Sequence, residues 1–266
     1  MNWLSRIRTR HTLKHHPIPR TTWNRLMRDA AIFKGLSAVE RARLRELTTL
    51  FLHRKAINGA HGLVVTTEMA IAVAAQACLP ILNLGIDSYD GWIEVVIYPG
   101  AFRVDRDSTD SMGLVTRQSR VLSGESWLRG PVILSWDDVA SGLTASSGQN
   151  VVVHEFAHKL DMLDGSANGM PPLHSGMDRQ AWATAFSEAF SRLQHLASYG
   201  YQLDFNAYGA TSPAEFFAVA SEYFFTDPHT LQRLFPAVYD QLEMFYGQRP
   251  VSRQRSVGAS DFAGLK

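Results

Sequence analysis

The sequence predicts an α+β protein in which helices and strands occupy separate stretches of the chain. Three observations carry this expectation. Apolar residues recur at helical spacing through residues 22–79, β-branched and aromatic runs punctuated by glycine and proline fill residues 92–136, and helical spacing returns from Val151 onward. At 266 residues the chain suits one large domain or two small ones and can bury a full core.

Residues 1–20 carry Arg6, Arg8, Arg10, Lys14 and Arg20 with His11, His15 and His16 and no acidic residue, which reads as a flexible, solvated basic arm. No apolar run of signal-peptide length lies there, so no secretion signal is expected. Residues 21–90 form a helical region. A first helix covers residues 22–33. A second follows Ser37-Ala38-Val39-Glu40, a capping box whose hydroxyl and carboxylate satisfy orphan amides reciprocally. Leu44, Leu47, Leu50 and Phe51 then line one face. The apolar run 69–79 is a third helix. The stretch 69–86 approaches the length of a membrane span, but Gln76, Pro80, Asn83 and Gly85 interrupt it and Glu68 and Asp87 bound it. A buried helix stopped by Pro80 is expected instead, and no membrane span.

Residues 91–246 hold the strands and the C-terminal helices. Trp92-Ile93-Glu94-Val95-Val96-Ile97-Tyr98 is a strand by its β-branched and aromatic content, closed by Pro99-Gly100. Residues 102–104, 121–122 and 131–136 are further strands, punctuated by Gly113, Gly124 and Gly130. The small, polar segment 142–148 reads as a loop. Helices are expected over residues 178–196, where Trp182, Phe186, Phe190 and Leu193 make one apolar face, and over 212–225 and 231–246. Residues 247–266 form a polar, flexible tail.

Composition narrows the function. The net charge is +1 and the signs are mixed along most of the chain, which gives no electrostatic case for direct nucleic-acid binding. Cys78 is the single cysteine, so no internal disulfide can form; this fits a reducing compartment and a cytoplasmic protein. Its apolar surroundings make Cys78 a buried hydrophobe rather than a nucleophile. Ser123-Gly124-Glu125-Ser126 is not a nucleophile elbow, and no Gly-rich phosphate loop is present.

The strongest chemical signal is His154-Glu155-Phe156-Ala157-His158. Positions four apart on a helix share a face, so both imidazoles can bind one zinc ion while Glu155 reaches a water as general base. Val151-Val152-Val153, Phe156, Ala157 and Leu160 would bury this helix, and a buried helix bearing two histidines and a glutamate needs a reason such as a metal. A catalytic zinc commonly has three protein ligands. Two candidates stand for the third. Asp164 lies six residues past His158, but the turn glycine of the corresponding extended motif is replaced by Asp161. Glu215, in Ser212-Pro213-Ala214-Glu215, could supply a carboxylate from a second helix, yet the same four residues make a good capping box. The local sequence leaves cap and ligand equally open.

The zinc motif followed by Asp161 resembles the zinc helix of the anthrax lethal factor peptidase domain. Tyr208-Gly209-x-Thr211-x-x-Ala214-Glu215-Phe216-Phe217-Ala218 resembles that domain's second metal segment. Over nearly its full length the chain is similar to the bacterial Mlc titration factor A family, through Ser123-Gly124-Glu125-Ser126-Trp127, the run from Gly130 to Trp136 and the run from Val153 to Gly165. The resemblance implies a zincin-like core, with an active-site helix against a small mixed sheet and added N- and C-terminal helices. It implies a gluzincin-type zinc metallopeptidase with aminopeptidase activity and one Zn2+ per chain. His154, His158 and Glu215 are then the ligands, Glu155 the general base, Tyr208 the residue assisting at the scissile carbonyl, and Asp161 a carboxylate that orients a ligand histidine. It also implies the glucose-responsive repressor Mlc as protein partner and a link to phosphotransferase gene control. The connection from His158 to Glu215 is longer than in lethal factor, and a strand between Gly124 and Trp136 is expected to line the cleft and pair with extended peptide.

Two other functions fit the same residues. One is a repressor-binding regulator whose zinc is structural or latent, which a fourth protein ligand such as Asp164 would support. The other is a metal amidase acting on non-peptide amides, since the same ligands activate water for either.

Overall fold

The computed structural model describes residues 3–92, 94–100, 102–109, 115–122, 124–126, 130–144, 148–201 and 204–253. Its helices and strands run, in order, α1 Trp3–His15, α2 Arg20–Asp29, α3 Ala38–Arg54, β1 Ala56–Gly59, α4 Thr67–Cys78, β2 Glu94–Tyr98, β3 Phe102–Thr109, β4 Val115–Leu122, β5 Gly124–Ser126, β6 Val132–Ser135, α5 Trp136–Thr144, α6 Val151–Asp161, α7 Arg179–Ser198, α8 Pro213–Thr226, α9 Pro228–Leu234 and α10 Pro236–Tyr246. The fold is α+β and mostly helical. One small sheet has the order β1-β2-β6-β5, and β3 and β4 form a separate antiparallel pair. In the main sheet β1, β2 and β6 are parallel and β5 runs antiparallel along the edge of β6.

Local chemistry explains most boundaries. Ser37 and Glu40 form the expected capping box at the start of α3. Thr66, Asn150, Asp178 and Ser212 accept amide protons at the starts of α4, α6, α7 and α8. In β2 alternate residues, Val95 and Ile97, are fully buried, as a sheet with one covered face requires.

Several expectations change. The basic N-terminal segment is helical rather than irregular: α1 packs on α3, and Arg45 of α3 donates to the Ile18 carbonyl in the connection to α2. Met1 and Asn2 of that arm lie outside the described residues, as do Ile93 and the quoted Ser123 and Trp127. The segment read as a loop at 142–148 begins as the end of α5; its residues 145–147 are outside the description. Helix 231–246 is two helices, because Pro236 lacks an amide proton and restarts the chain as the first residue of α10. Of the tail, residues 247–253 are docked: Asn83 donates to the Gly247 carbonyl (2.6 Å), Gln248 to that of Leu79 (2.8 Å), and Arg253 pairs with Glu40 (2.5 Å). Residues 254–266 lie outside the described residues.

One hydrophobic core runs through the chain from Ile18 to Val251. At its centre Phe51, Tyr89, Trp92 and Phe156 pack with ring centroids 5.0–6.2 Å apart. Phe156 belongs to α6, so this cluster seats the apolar side of that helix. Cys78 is fully buried, and burial pushes its thiol well above the usual range, which leaves it without nucleophilic character. No helix among the described residues is long and apolar enough to cross a membrane.

The segment between α6 and α7 is pinned at Gly169. Its amide donates to Asp161 Oδ2 (2.7 Å), and its carbonyl accepts from the indole of the fully buried Trp182 (3.0 Å). Gly169 has φ 82°, and a Cβ there would lie 2.5 Å from the Pro213 carbonyl at the start of α8. Gly169→Ala is therefore expected to destabilise the protein by more than about 1 kcal/mol in denaturant unfolding, since both the left-handed backbone and the clash oppose it.

Candidate metal centre

The site is built where α8 packs across α6. In α6, Val152, Val153, Phe156, Ala157 and Leu160 are buried in the core. This fixes the rotation of the helix and turns His154 and His158 together toward α8. Their rings lie 4.9 Å apart at centroid, and their Nε2 atoms are 3.2 Å apart.

Glu215 occupies the third position of α8, and only half of the predicted capping box forms there. Its backbone amide is capped by the Ser212 hydroxyl (3.2 Å), while its carboxylate turns to the histidines. Oε2 of Glu215 is 3.0 Å from Nε2 of His154 and 3.3 Å from Nε2 of His158. These three residues are the one group of potential metal ligands among the described residues whose donor atoms all lie within 4.8 Å of one another. Asp164 is exposed on the turn after α6 and is not part of it.

The geometry fits a tetrahedral cation. Zinc bonded to nitrogen and oxygen at about 2.0–2.1 Å needs ligand atoms about 3.3 Å apart, and the three separations here are 3.0, 3.2 and 3.3 Å. The other ring nitrogen of His154, Nδ1, is 2.7 Å from Oε1 of Glu222. With Nδ1 as donor to that carboxylate, the Nε2 lone pair would be free for a cation held between Glu215 and His158. Burial disfavours charge on His154, but Glu222 and Glu215 on either side outweigh it and raise its proton affinity well above that of ordinary imidazole. Glu215 is likewise held well below the usual carboxylate range, because its bonds to the two histidines outweigh its burial.

Glu222 is the residue that sequence reasoning missed. It lies seven residues, two helical turns, beyond Glu215 on the same helix, and it is buried at the end of the apolar run from Phe216. A carboxylate at that spacing inside such a run was the available signal. Its second oxygen accepts the backbone amide of Asn150, the cap of α6, at 2.5 Å. Asp161, expected to orient a ligand histidine, instead anchors the Gly169 loop. Its Oδ1 and the Nδ1 of His158 have no hydrogen-bond partner among the described residues.

Glu155 is 3% exposed, and its Oε2 has no hydrogen-bond partner among the described residues. Burial raises its carboxyl above the usual value, against the pull of the neighbouring histidines. A buried carboxylate with one unpartnered oxygen beside a cation site is suited to take a proton from water. One turn on, Lys159 is also buried, and burial lowers its amine to about 8; it donates to the Gly130 carbonyl (3.0 Å), tying the approach to β6 to the metal helix. The edge strand β5 runs beside α6. Tyr208, on the short 3-10 turn Ala207–Ala210 that packs against α8, is 42% exposed, with its ring 6.1 Å from that of His154. His154, Glu155, His158, Tyr208 and Glu215 are thus brought to one region.

Comparison with known proteins places the chain in a family. Residues 4–247 match the family described as glucose-regulated metallo-peptidase M90. A relative in Klebsiella pneumoniae subsp. pneumoniae named "Mlc titration factor A" is 40% identical over 234 residues, covering 86% of this chain and 87% of its own. Relatives of the same name in Serratia proteamaculans (40% identity, 87% and 89% coverage) and Salmonella paratyphi B (42%, 83% and 84%) are similar over comparable lengths. The match over residues 4–247 and relatives about 40% identical over most of their length mean that this chain belongs to the glucose-regulated metallo-peptidase M90 family.

Proposed function

We propose that the chain is a zinc-dependent peptidase of zincin-like, gluzincin type, with His154, His158 and Glu215 holding one Zn2+ and Glu155 as general base. The observation that carries this is the convergence of two imidazole Nε2 atoms and a carboxylate oxygen at tetrahedral spacing beside the buried carboxylate of Glu155. Bound zinc would polarise the peptide carbonyl and bring the pKa of water toward neutrality. Glu155 takes the water's proton and passes it to the leaving amine. Tyr208 donates a hydrogen bond to the carbonyl oxygen as negative charge develops there. The antiparallel edge strand β5 offers backbone groups to an extended peptide lying along the cleft. Aminopeptidase specificity is the form of the activity we infer from the titration factor resemblance.

The test is hydrolysis of aminoacyl and peptide anilides beside zinc content. Activity that chelation removes and one equivalent of zinc restores supports the reading; a zinc-loaded protein silent on a broad peptide panel but active on non-peptide amides would replace it with the amidase. The structural-zinc reading asks for a fourth protein ligand, and the metal group has three members among the described residues. For Tyr208→Phe, kcat should fall about a hundredfold, the scale of one lost oxyanion donor, with zinc content unchanged.

The relatives' name refers to titration of Mlc, and we propose that this chain likewise binds an Mlc-type repressor and so modulates glucose phosphotransferase gene expression. Co-elution of the two purified proteins in size-exclusion chromatography tests it, and separate elution at micromolar concentration would count against it.

A further inference from the structure

Gln76 is fully buried in α4 among Val73, Ala74, Ala75, Ala77 and Cys78, all buried, where leucine would fill the space without a polar cost. Its Oε1 accepts from Asn150 Nδ2 at 2.7 Å. Asn150 is 1% exposed, and every polar atom of its side chain has a partner. Nδ2 gives its second proton to the Gly142 carbonyl of α5 (3.1 Å), and Oδ1 accepts the Val153 amide (2.9 Å). A Cβ on Gly142 would lie 2.7 Å from that Nδ2, so the approach of α5 is shaped to the amide. The Asn150 backbone amide donates to Oε2 of Glu222, whose Oε1 holds Nδ1 of His154.

Capping alone does not explain this arrangement. Serine, threonine or aspartate would cap α6 as well, but none offers two donors and one acceptor together. The chain of bonds runs from α4 through the cap to the carboxylate on α8 and ends on a candidate ligand. Gln76 itself touches no ligand.

We propose that Gln76, Asn150 and Glu222 form a positioning network that sets the tautomer and aim of His154, and through them the affinity of the site for zinc. The inference rests on the reading of His154, His158 and Glu215 as a zinc site. Gln76 and Asn150 fix the amide that aligns Glu222; Glu222 keeps the proton on Nδ1 and the lone pair on Nε2. Outer partners bonded directly to a ligand histidine typically change metal affinity about 10–100-fold.

The experiment measures zinc affinity of the full chain by competition with a chromophoric chelator at fixed pH, together with the visible spectrum of the cobalt(II)-substituted protein and the melting temperature of the metal-free form. Gln76→Leu and Asn150→Ser are compared with Glu222→Gln. Asn150→Ser retains a capping oxygen and serves if Gln76→Leu does not fold. The expected result is zinc binding weakened about tenfold in Gln76→Leu and Asn150→Ser and further in Glu222→Gln, with a shifted cobalt spectrum in all three. Variants that match wild type in zinc affinity and cobalt spectrum, however much their metal-free stability falls, overturn the proposal and leave a packing network. A wild-type chain that takes up neither zinc nor cobalt overturns the metal reading itself, and the network with it.

Discussion

Glu155→Gln is expected to keep one zinc per chain and to lose peptidase turnover by about a thousandfold, within the range general-base catalysis ordinarily supplies. The substitution preserves size and the seat of α6 on the core, and it touches none of the three candidate ligands. What it removes is a carboxylate that can accept a proton. The wild-type group is buried, and burial raises its carboxyl, which moves its basicity toward that of a useful proton carrier at neutral pH. Measured zinc content separates this loss from loss of metal, and a lowered kcat with little change in KM would place the effect in the chemical step. A glutamine variant as active as wild type would remove Glu155 from the mechanism, whatever the status of the metal.

The parts of this site that were legible from sequence were those written in local spacing. His154, Glu155 and His158 declare themselves because four residues make one helical turn, and the capping box at Ser37 is equally local. Glu215 was half legible: Ser212-x-x-Glu215 predicts a cap, and the structure divides that motif between a backbone amide for Ser212 and a side chain for the metal cluster. Glu222 and Asn150 were legible only in part: a buried carboxylate two turns past Glu215 and a cap at the start of α6 are local signals, but the bonds that join Gln76, Asn150, Glu222 and His154 span 68 to 74 residues and need the packing of α4, α6 and α8. Gln76 was visible only as an interruption of an apolar run, and its meaning depends on a neighbour that no periodicity specifies. The fold shows the same division. Strand β2 announces itself by its β-branched and aromatic content, whereas β1 is four mostly exposed residues whose strand character comes from pairing with β2. The C-terminal part of α5, small and polar in sequence, is helical where Gly142 lies against Asn150.

The position of Glu215 yields the other large effect. Glu215→Ala removes one of three donor atoms but leaves the backbone amide that Ser212 caps, so α8 should still form and the chain should fold. Zinc affinity is expected to fall by more than the roughly 10–100-fold that loss of an outer partner costs, with activity lost at equimolar zinc. The stabilisation that saturating zinc gives the wild type should disappear as well; for a ligand at a hundred times its Kd this amounts to about 2.7 kcal/mol. Ser212→Ala makes the complementary change. It deprives the Glu215 amide of its acceptor and should cost about 1 kcal/mol of stability while leaving the carboxylate free to reach the histidines, so zinc is retained. Chelator competition and denaturant unfolding on the two variants, each with and without zinc, would show the effects crossing: affinity lost with the fold intact in one, stability lost with affinity intact in the other. If Glu215→Ala bound zinc as tightly as wild type, the third ligand would have to be sought elsewhere, and the convergence of Oε2 on the two Nε2 atoms would be a hydrogen-bonded contact only. If Ser212→Ala lost zinc as completely as Glu215→Ala, the cap would be part of the metal site, because the first turn of α8 would then be what holds the carboxylate at 3.0–3.3 Å from both imidazoles.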